Sequence, residues 1–159
     1  MFTIGDKVSY PMHGAGTITN IEKKNVLDEI KEYYIITIPV GNITISVPVD
    51  LAEDVGVRPI ISKDELEDVI ETLQGKKGQM PDNWNRRYRV NIERLKTGDI
   101  IEVASVVRNL KIMSREKNLS SGDRKMLNNA LNLLVSEIIL VSNKSQAEVE
   151  ALIDKYVFN

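Results

Sequence analysis

The chain is predicted to be α+β, with a small SH3- or Tudor-like β-barrel over residues 1–60 followed by a compact all-α bundle of about five helices over residues 61–159. Three observations carry this. Short runs of β-branched and aromatic residues with period-two alternation fill the first sixty positions. After them, helix caps at Ser62, Asp99 and Ser145 each precede apolar residues at helical spacing. The change of character falls at Val55-Gly56-Val57-Arg58-Pro59.

In the first part, Lys7-Val8-Ser9-Tyr10 alternates polar and apolar, Pro11 breaks the run, and Gly14 and Gly16 bracket a tight bend. Thr17 to Glu22 alternates imperfectly, which predicts a bulge or a bend. Tyr33 to Val40 and Ile43 to Val47 are strands, and Gly41-Asn42 between them reads as a two-residue primed turn. Four or five short strands in so few residues make a small barrel. The strand over residues 43–48 ends in Val47-Pro48, and proline is tolerated at a sheet edge. Such an edge either stays bare or accepts a partner's strand by β-augmentation.

In the second part, Ser62 and Glu65 form a capping box ahead of Leu66, Val69, Ile70 and Leu73, and Gly75 ends that helix. A polar connection with two lysines leads to Pro81, and Asp82 or Asn83 caps a helix from Trp84 to Lys96 that stops at Gly98. Asp99 with Glu102 opens the stripe Ile100, Val103, Ala104, Val107, Leu110 and Met113. Leu119 to Asp123 is a turn and helix start, followed by Met126, Leu127, Ala130, Leu131, Leu134, Ile138 and Val141. Ser145 and Glu148 box the last helix, with Val149, Leu152, Ile153 and Tyr156. These stripes are core positions of a bundle.

Composition narrows the function classes. With no cysteine, a disulfide framework, a thiolate metal site and a cysteine nucleophile are all excluded, and a reducing compartment is the natural home. No run of about 18 apolar residues occurs, and the N-terminus lacks the blocks of a signal peptide, so a cytoplasmic protein without membrane contact is expected. His13 is the only histidine, so it has no second ligand for a metal and no partner for Ser120 or Ser121. Gly14-Ala15-Gly16 lacks the Lys-Ser/Thr of a phosphate loop. The carboxylates Asp64, Glu65, Glu67, Asp68 and Glu71 read as a solvated helix start. No enzyme and no cofactor is expected.

Charge is more informative by segment than in total. The net charge of −2 hides residues 1–58, with five basic and eight acidic side chains, and residues 76–125, with thirteen basic and six acidic. The basic segment contains Asn83-Trp84-Asn85-Arg86-Arg87-Tyr88-Arg89, which holds the only tryptophan. On a helix, Arg87 and Tyr88 share the Trp84 face, while Arg86 and Arg89 lie on a neighbouring one. An indole ringed by guanidinium groups suits nucleic acid, with arginine on phosphate and the indole wedged against bases. The competing reading places Trp84 in the core with solvated arginines beside it. Arg108, Lys111 and Arg115 recur on one helix face. Arg124 and Lys125 fall in a first helical turn, where cations cost a few tenths to about 1 kcal/mol unless a phosphate is close. A surface laced by salt bridges is the alternative.

These residues also carry a resemblance. The segment Gly5 to Gly16, with its Tyr-Pro-x-His-Gly-x-Gly core, resembles the opening of the RNA-polymerase-interacting domain shared by the CarD/CdnL transcription regulators and the transcription-repair coupling factor. Lys31-Glu32-Tyr33-Tyr34 and Ile43 to Pro48 fall where similar segments are expected. Asn83 to Arg89, Leu95 to Asp99, Val103 to Leu110 and Leu119 to Leu127 are similar to the CarD/CdnL carboxy-terminal domain. The coupling factor would continue into a helicase with a Walker motif and none follows, so the regulators are the better match.

The resemblance implies a non-catalytic regulator. Its barrel would dock strand edge to strand edge on the β subunit of bacterial RNA polymerase, and its helical part would reach promoter DNA at the upstream edge of the melted region. Trp84 matches a minor-groove wedge that stabilises the open complex, with Arg86, Arg89 and Arg124 on the DNA backbone; Arg87 and Lys125 join this DNA-binding set. Lys24 and Ser46 fall where the family can place arginines facing polymerase, and Ser46 departs from the pattern by lacking the charge. With them, Ile43, Thr44, Ile45 and Val47 form the candidate polymerase-binding strand. Weak sequence preference, a monomer and a nucleoid association through polymerase are the further expectations. The alternative function is a protein–protein adaptor without direct DNA contact.

Overall fold

A computed structural model describes residues 1–159. Strands β1 (Lys7–Tyr10), β2 (Gly14–Val26), β3 (Glu29–Ile38), β4 (Ile43–Pro48) and β5 (Arg58–Pro59) form one antiparallel sheet in the order β4-β3-β2-β1-β5. It curls around Val8, Ile18, Tyr34, Ile36, Ile38 and Val47, with Ala52 from a short helix, α1 (Val49–Ala52), closing one end. The expected bulge exists: the β2–β3 register slips between Ile18 and Asn20. Because β4 and β5 are the sheet's two ends, β4 keeps an outer edge with no strand beside it.

Two local expectations need correction. Gly14-Ala15-Gly16 is not a bend but the start of β2, paired with Ser9 and Val8 through Ala15 and Gly16. The turn lies before it, where Met12 has φ 71° and Gly14 φ 117°. Gly16 is needed for close approach: a Cβ there would sit 2.4 Å from the Thr37 carbonyl oxygen. The loop between β3 and β4 has four residues rather than two, Ile38 pairing with Ile43 across Pro39 to Asn42. Gly41 and Asn42 do both take positive φ, 78° and 50°. The two-residue turn is instead at Leu27-Asp28, where φ is 53° and 65° and Val26 pairs with Glu29. It makes β2 and β3 a long hairpin whose tip exposes Leu27 and Ile30.

The bundle has the expected five helices: α2 (Lys63–Gln74), α3 (Trp84–Lys96), α4 (Ile100–Glu116), α5 (Ser121–Ser142) and α6 (Gln146–Phe158). Both Ser-x-x-Glu sites are complete capping boxes, and Asp99 accepts from the Ile101 N–H. Their apolar faces meet around Leu73, Leu95, Ala104, Val107, Leu110, Leu134 and Ile153, all essentially inaccessible to solvent. Helix α5 lies against β2 as well. There Ser136 Oγ accepts from the Ala15 N–H at 2.9 Å, while Val40 and Ile61 from the sheet side join the bundle core.

Candidate nucleic-acid and docking surfaces

Helix α3 begins at Trp84 because the Asn83 side chain accepts from the N–H groups of Asn85 and Arg86, at 3.0 and 3.1 Å. Helix α5 begins likewise: Ser120 Oγ accepts from the Asp123 N–H at 3.0 Å and donates to Asp123 Oδ2 at 2.8 Å. These two helix starts lie side by side. Trp84 is 54% exposed, so it is no core residue. Its ring lies over Gly122 in the first turn of α5, where a Cβ would meet ring carbon Cε3 at 3.8 Å. A surface indole is thereby seated on a residue with no side chain.

Arg87 is a correction. It is buried, and Nε and Nη2 donate to Asp123 Oδ1 and Oδ2 at 2.9 and 2.7 Å, while Nη1 donates to the carbonyls of Pro81 and Asp82. A guanidinium spent in this way is not available to phosphate. The Arg87 hydrogen bonds hold the Asp123 carboxyl below the usual carboxylate range against the opposing effect of burial, with Ser120 adding to the shift. Arg87 is raised in turn, chiefly by its bonds to Asp123.

The same sorting applies to the rest of the basic segment. Arg108 donates to the Thr72 carbonyl at the end of α2, and burial followed by repulsion from Arg94 lowers its pKa. Lys111 pairs with Asp154 at 2.6 Å, and Arg115 stacks 3.4 Å above the Phe158 ring. That basic stripe therefore binds α4 to α2 and α6. Lys77, Arg94 and Lys96 pair with Glu116, Glu102 and Glu93. Arg86, Arg89, Arg124 and Lys125 are exposed and form no ion pair; Arg89 reaches only the carbonyl of Asn85 on its own helix, at 3.5 Å. Arg86 and Arg89 follow Trp84 by two and five residues on α3, and Arg124 and Lys125 follow Gly122 by two and three on α5.

On β4, Ile43, Thr44 and Ser46 are exposed and Ile45 is half-buried. Val47 is the second correction: it is 1% exposed, packed in the sheet's core opposite Tyr34, so only its backbone can meet a partner. Lys24 projects from the exposed half of β2, 5.0 Å over the Tyr33 ring.

Residues 2–61 match the CarD-like/TRCF RID domain, and residues 68–154 match the CarD C-terminal domain. The chain belongs to the CarD family. A Bacillus subtilis (strain 168) protein named "Putative transcription factor YdeB" is 36% identical over 151 residues, which span 95% of this chain and 99% of that protein. In this CarD-family chain the first match takes in the whole five-stranded sheet, and the second takes in α3 to α5 entire. Sequence reasoning missed one feature that the structure makes prominent, the pair between half-buried Arg58 and buried Glu137. Glu137 lies outside the apolar stripe read for its helix, and nothing local names a partner 79 residues away.

Proposed function

We propose that this CarD-family transcription factor is non-catalytic, docks through its β4 edge on the β subunit of RNA polymerase, and stabilises the open promoter complex with Trp84. The observation that carries the reading is the exposed indole seated on Gly122, on two helices that together carry four exposed, unpaired cations in their N-terminal halves. Aromatic and aliphatic side chains that enter the minor groove unstack a base step and hold the duplex bent or open, while flanking cations neutralise phosphate. No base-edge hydrogen bonding is required, so sequence preference is weak. The RID match supports contact with RNA polymerase, and the outer side of β4 offers backbone groups for strand addition. Lys24, Thr44 and Ser46 would line that contact, with Ile43 and Ile45 as its apolar part. Backbone contacts would come from Arg86, Arg89, Arg124 and Lys125.

The test is the lifetime of open complexes formed by purified bacterial RNA polymerase on a promoter, with no factor, with wild type and with Trp84→Ala. Wild type is expected to lengthen the lifetime, and Trp84→Ala to lose that effect while still binding polymerase. An unchanged lifetime with wild type would overturn the wedge and leave the adaptor reading.

A further inference from the structure

One carboxylate ties the sheet to the bundle. Glu137, in the C-terminal part of α5, has a side chain 2% exposed. Its Oε2 accepts from Arg58 Nη1 and from the Ile61 N–H, both at 2.8 Å, and its Oε1 accepts from Arg58 Nη2 at 3.0 Å. Arg58, in β5, spends its remaining donors on backbone: Nε and Nη2 on the Gly98 carbonyl at 3.1 and 2.9 Å, Nη1 on that of Pro59 at 3.0 Å. All five guanidinium N–H groups are thus committed. The cluster joins the sheet's end strand, the α3–α4 turn and α5.

A pair with one buried and one half-buried partner is weak evidence of stability, since well-packed apolar residues often do as well or better. What it does fix is geometry, because a planar fork with every donor engaged tolerates little rotation. We infer that Glu137 is a positioning residue that, through Arg58, sets the separation between the β4 edge and the Trp84 face. The inference rests on the two-surface reading above.

The lever arms show why this matters. Gly98 and Glu137 lie at one end of the two helices whose other ends carry Trp84 and Arg124. At 1.5 Å per residue, both arms are about 20 Å long. A tilt of about 10° at their base would move the indole by about 3.5 Å. That is close to one base step of duplex, about 3.4 Å. A wedge aimed at one step therefore needs a stiff base.

The experiment uses the full chain, which contains no cysteine. Spin labels on Glu29→Cys and Ala151→Cys, both at exposed positions, report the sheet-to-bundle distance distribution by pulsed dipolar spectroscopy. The backgrounds are wild type, Glu137→Gln, and Arg58→Met/Glu137→Gln, the last of which leaves no charge unpaired in the junction. Polymerase binding, duplex binding and open-complex lifetime are measured on the same proteins. The expected result is a broadened or shifted distance distribution, polymerase and duplex affinities close to wild type, and loss of most of the lifetime effect. A distribution with the centre and width of wild type in the double variant would overturn the inference, as would broadening or a shift with an undiminished lifetime. If wild type fails to lengthen the lifetime, the functional reading falls, while the distance arm still decides whether Glu137 sets the separation.

Discussion

Arg87 and Asp123 form a two-pronged ion pair, 2.7 and 2.9 Å, that joins the first turn of α3 to the first turn of α5. Each helix start is capped independently, by Asn83 and Ser120, so the pair contributes relative placement rather than helix formation. Trp84, three positions before Arg87, and Gly122, one before Asp123, meet beside it.

Removing one partner strands a buried charge. Arg87→Ala and Asp123→Ala should each cost about 3–5 kcal/mol, read from urea denaturation. Exchanging both, as in Arg87→Met/Asp123→Leu, should recover much of that loss. The pair also sets an acid limit. Asp123 has a folded-state pKa below its unfolded value, so its contribution is complete above about pH 4 and disappears as pH falls through the lowered folded value. Stability of wild type should therefore drop more steeply below pH 4 than that of Asp123→Asn. Parallel acid profiles for the two would show that the pair is not stabilising.

Gly122 is the seat of the indole, and a Cβ there would touch the Trp84 ring at an ordinary 3.8 Å. Gly122→Ala should be accepted and stabilise by about 0.4–1 kcal/mol through reduced unfolded-chain entropy. Gly122→Leu has no such room and should displace the ring. A rise in Trp84 fluorescence quenching by acrylamide, with little change in helix content, is the expected signature. Equal quenching in wild type and Gly122→Leu would mean that the ring does not rest on α5.

How much of this could be read from the sequence depends on how local the cause is. The caps at Ser62, Asn83, Asp99, Ser120 and Ser145 are set within three residues, and the helix starts follow from them. Helical spacing put Arg86 and Arg89 beside the Trp84 face but left a core position open for the ring, and it was the resemblance that favoured the exposed one. Arg87 was not, because its partner is 36 residues away and helical spacing alone cannot say which cation turns inward. The same holds for Lys111 and Asp154, 43 residues apart. Gly16 looked like a turn residue because the composition around it, not the approach of β3, is what a sequence displays. Val47 was grouped with its strand, although alternation alone would have separated its buried side chain from the exposed Ser46.

Gly16 yields a prediction of its own. A methyl group at this position would lie 2.4 Å from the Thr37 oxygen and 2.8 Å from Ile36 Cγ2, and the first of these is backbone that cannot step aside. Gly16→Ala should destabilise by about 1–3 kcal/mol or more, the cost of overpacking. Thermal unfolding should shift while the helical circular dichroism of the folded state is retained. Unchanged stability would mean that β2 and β3 can separate at this point without loss.

The division of cations into engaged and free gives the most direct test of the DNA face. Arg86, Arg89, Arg124 and Lys125 have no ion pair to lose, so on the proposed reading each exchanges a condensed counterion for a phosphate. Replacing any one by alanine should lower the slope of log affinity against log salt by about 1, on duplexes of unrelated sequence alike. Lys77→Ala and Lys111→Ala, whose ammonium groups already rest on Glu116 and Asp154, should leave the slope unchanged. Fluorescence anisotropy with labelled duplex over a salt series reads both sets together. If the engaged and free positions change the slope equally, the face around Trp84 is not the one that meets the phosphates.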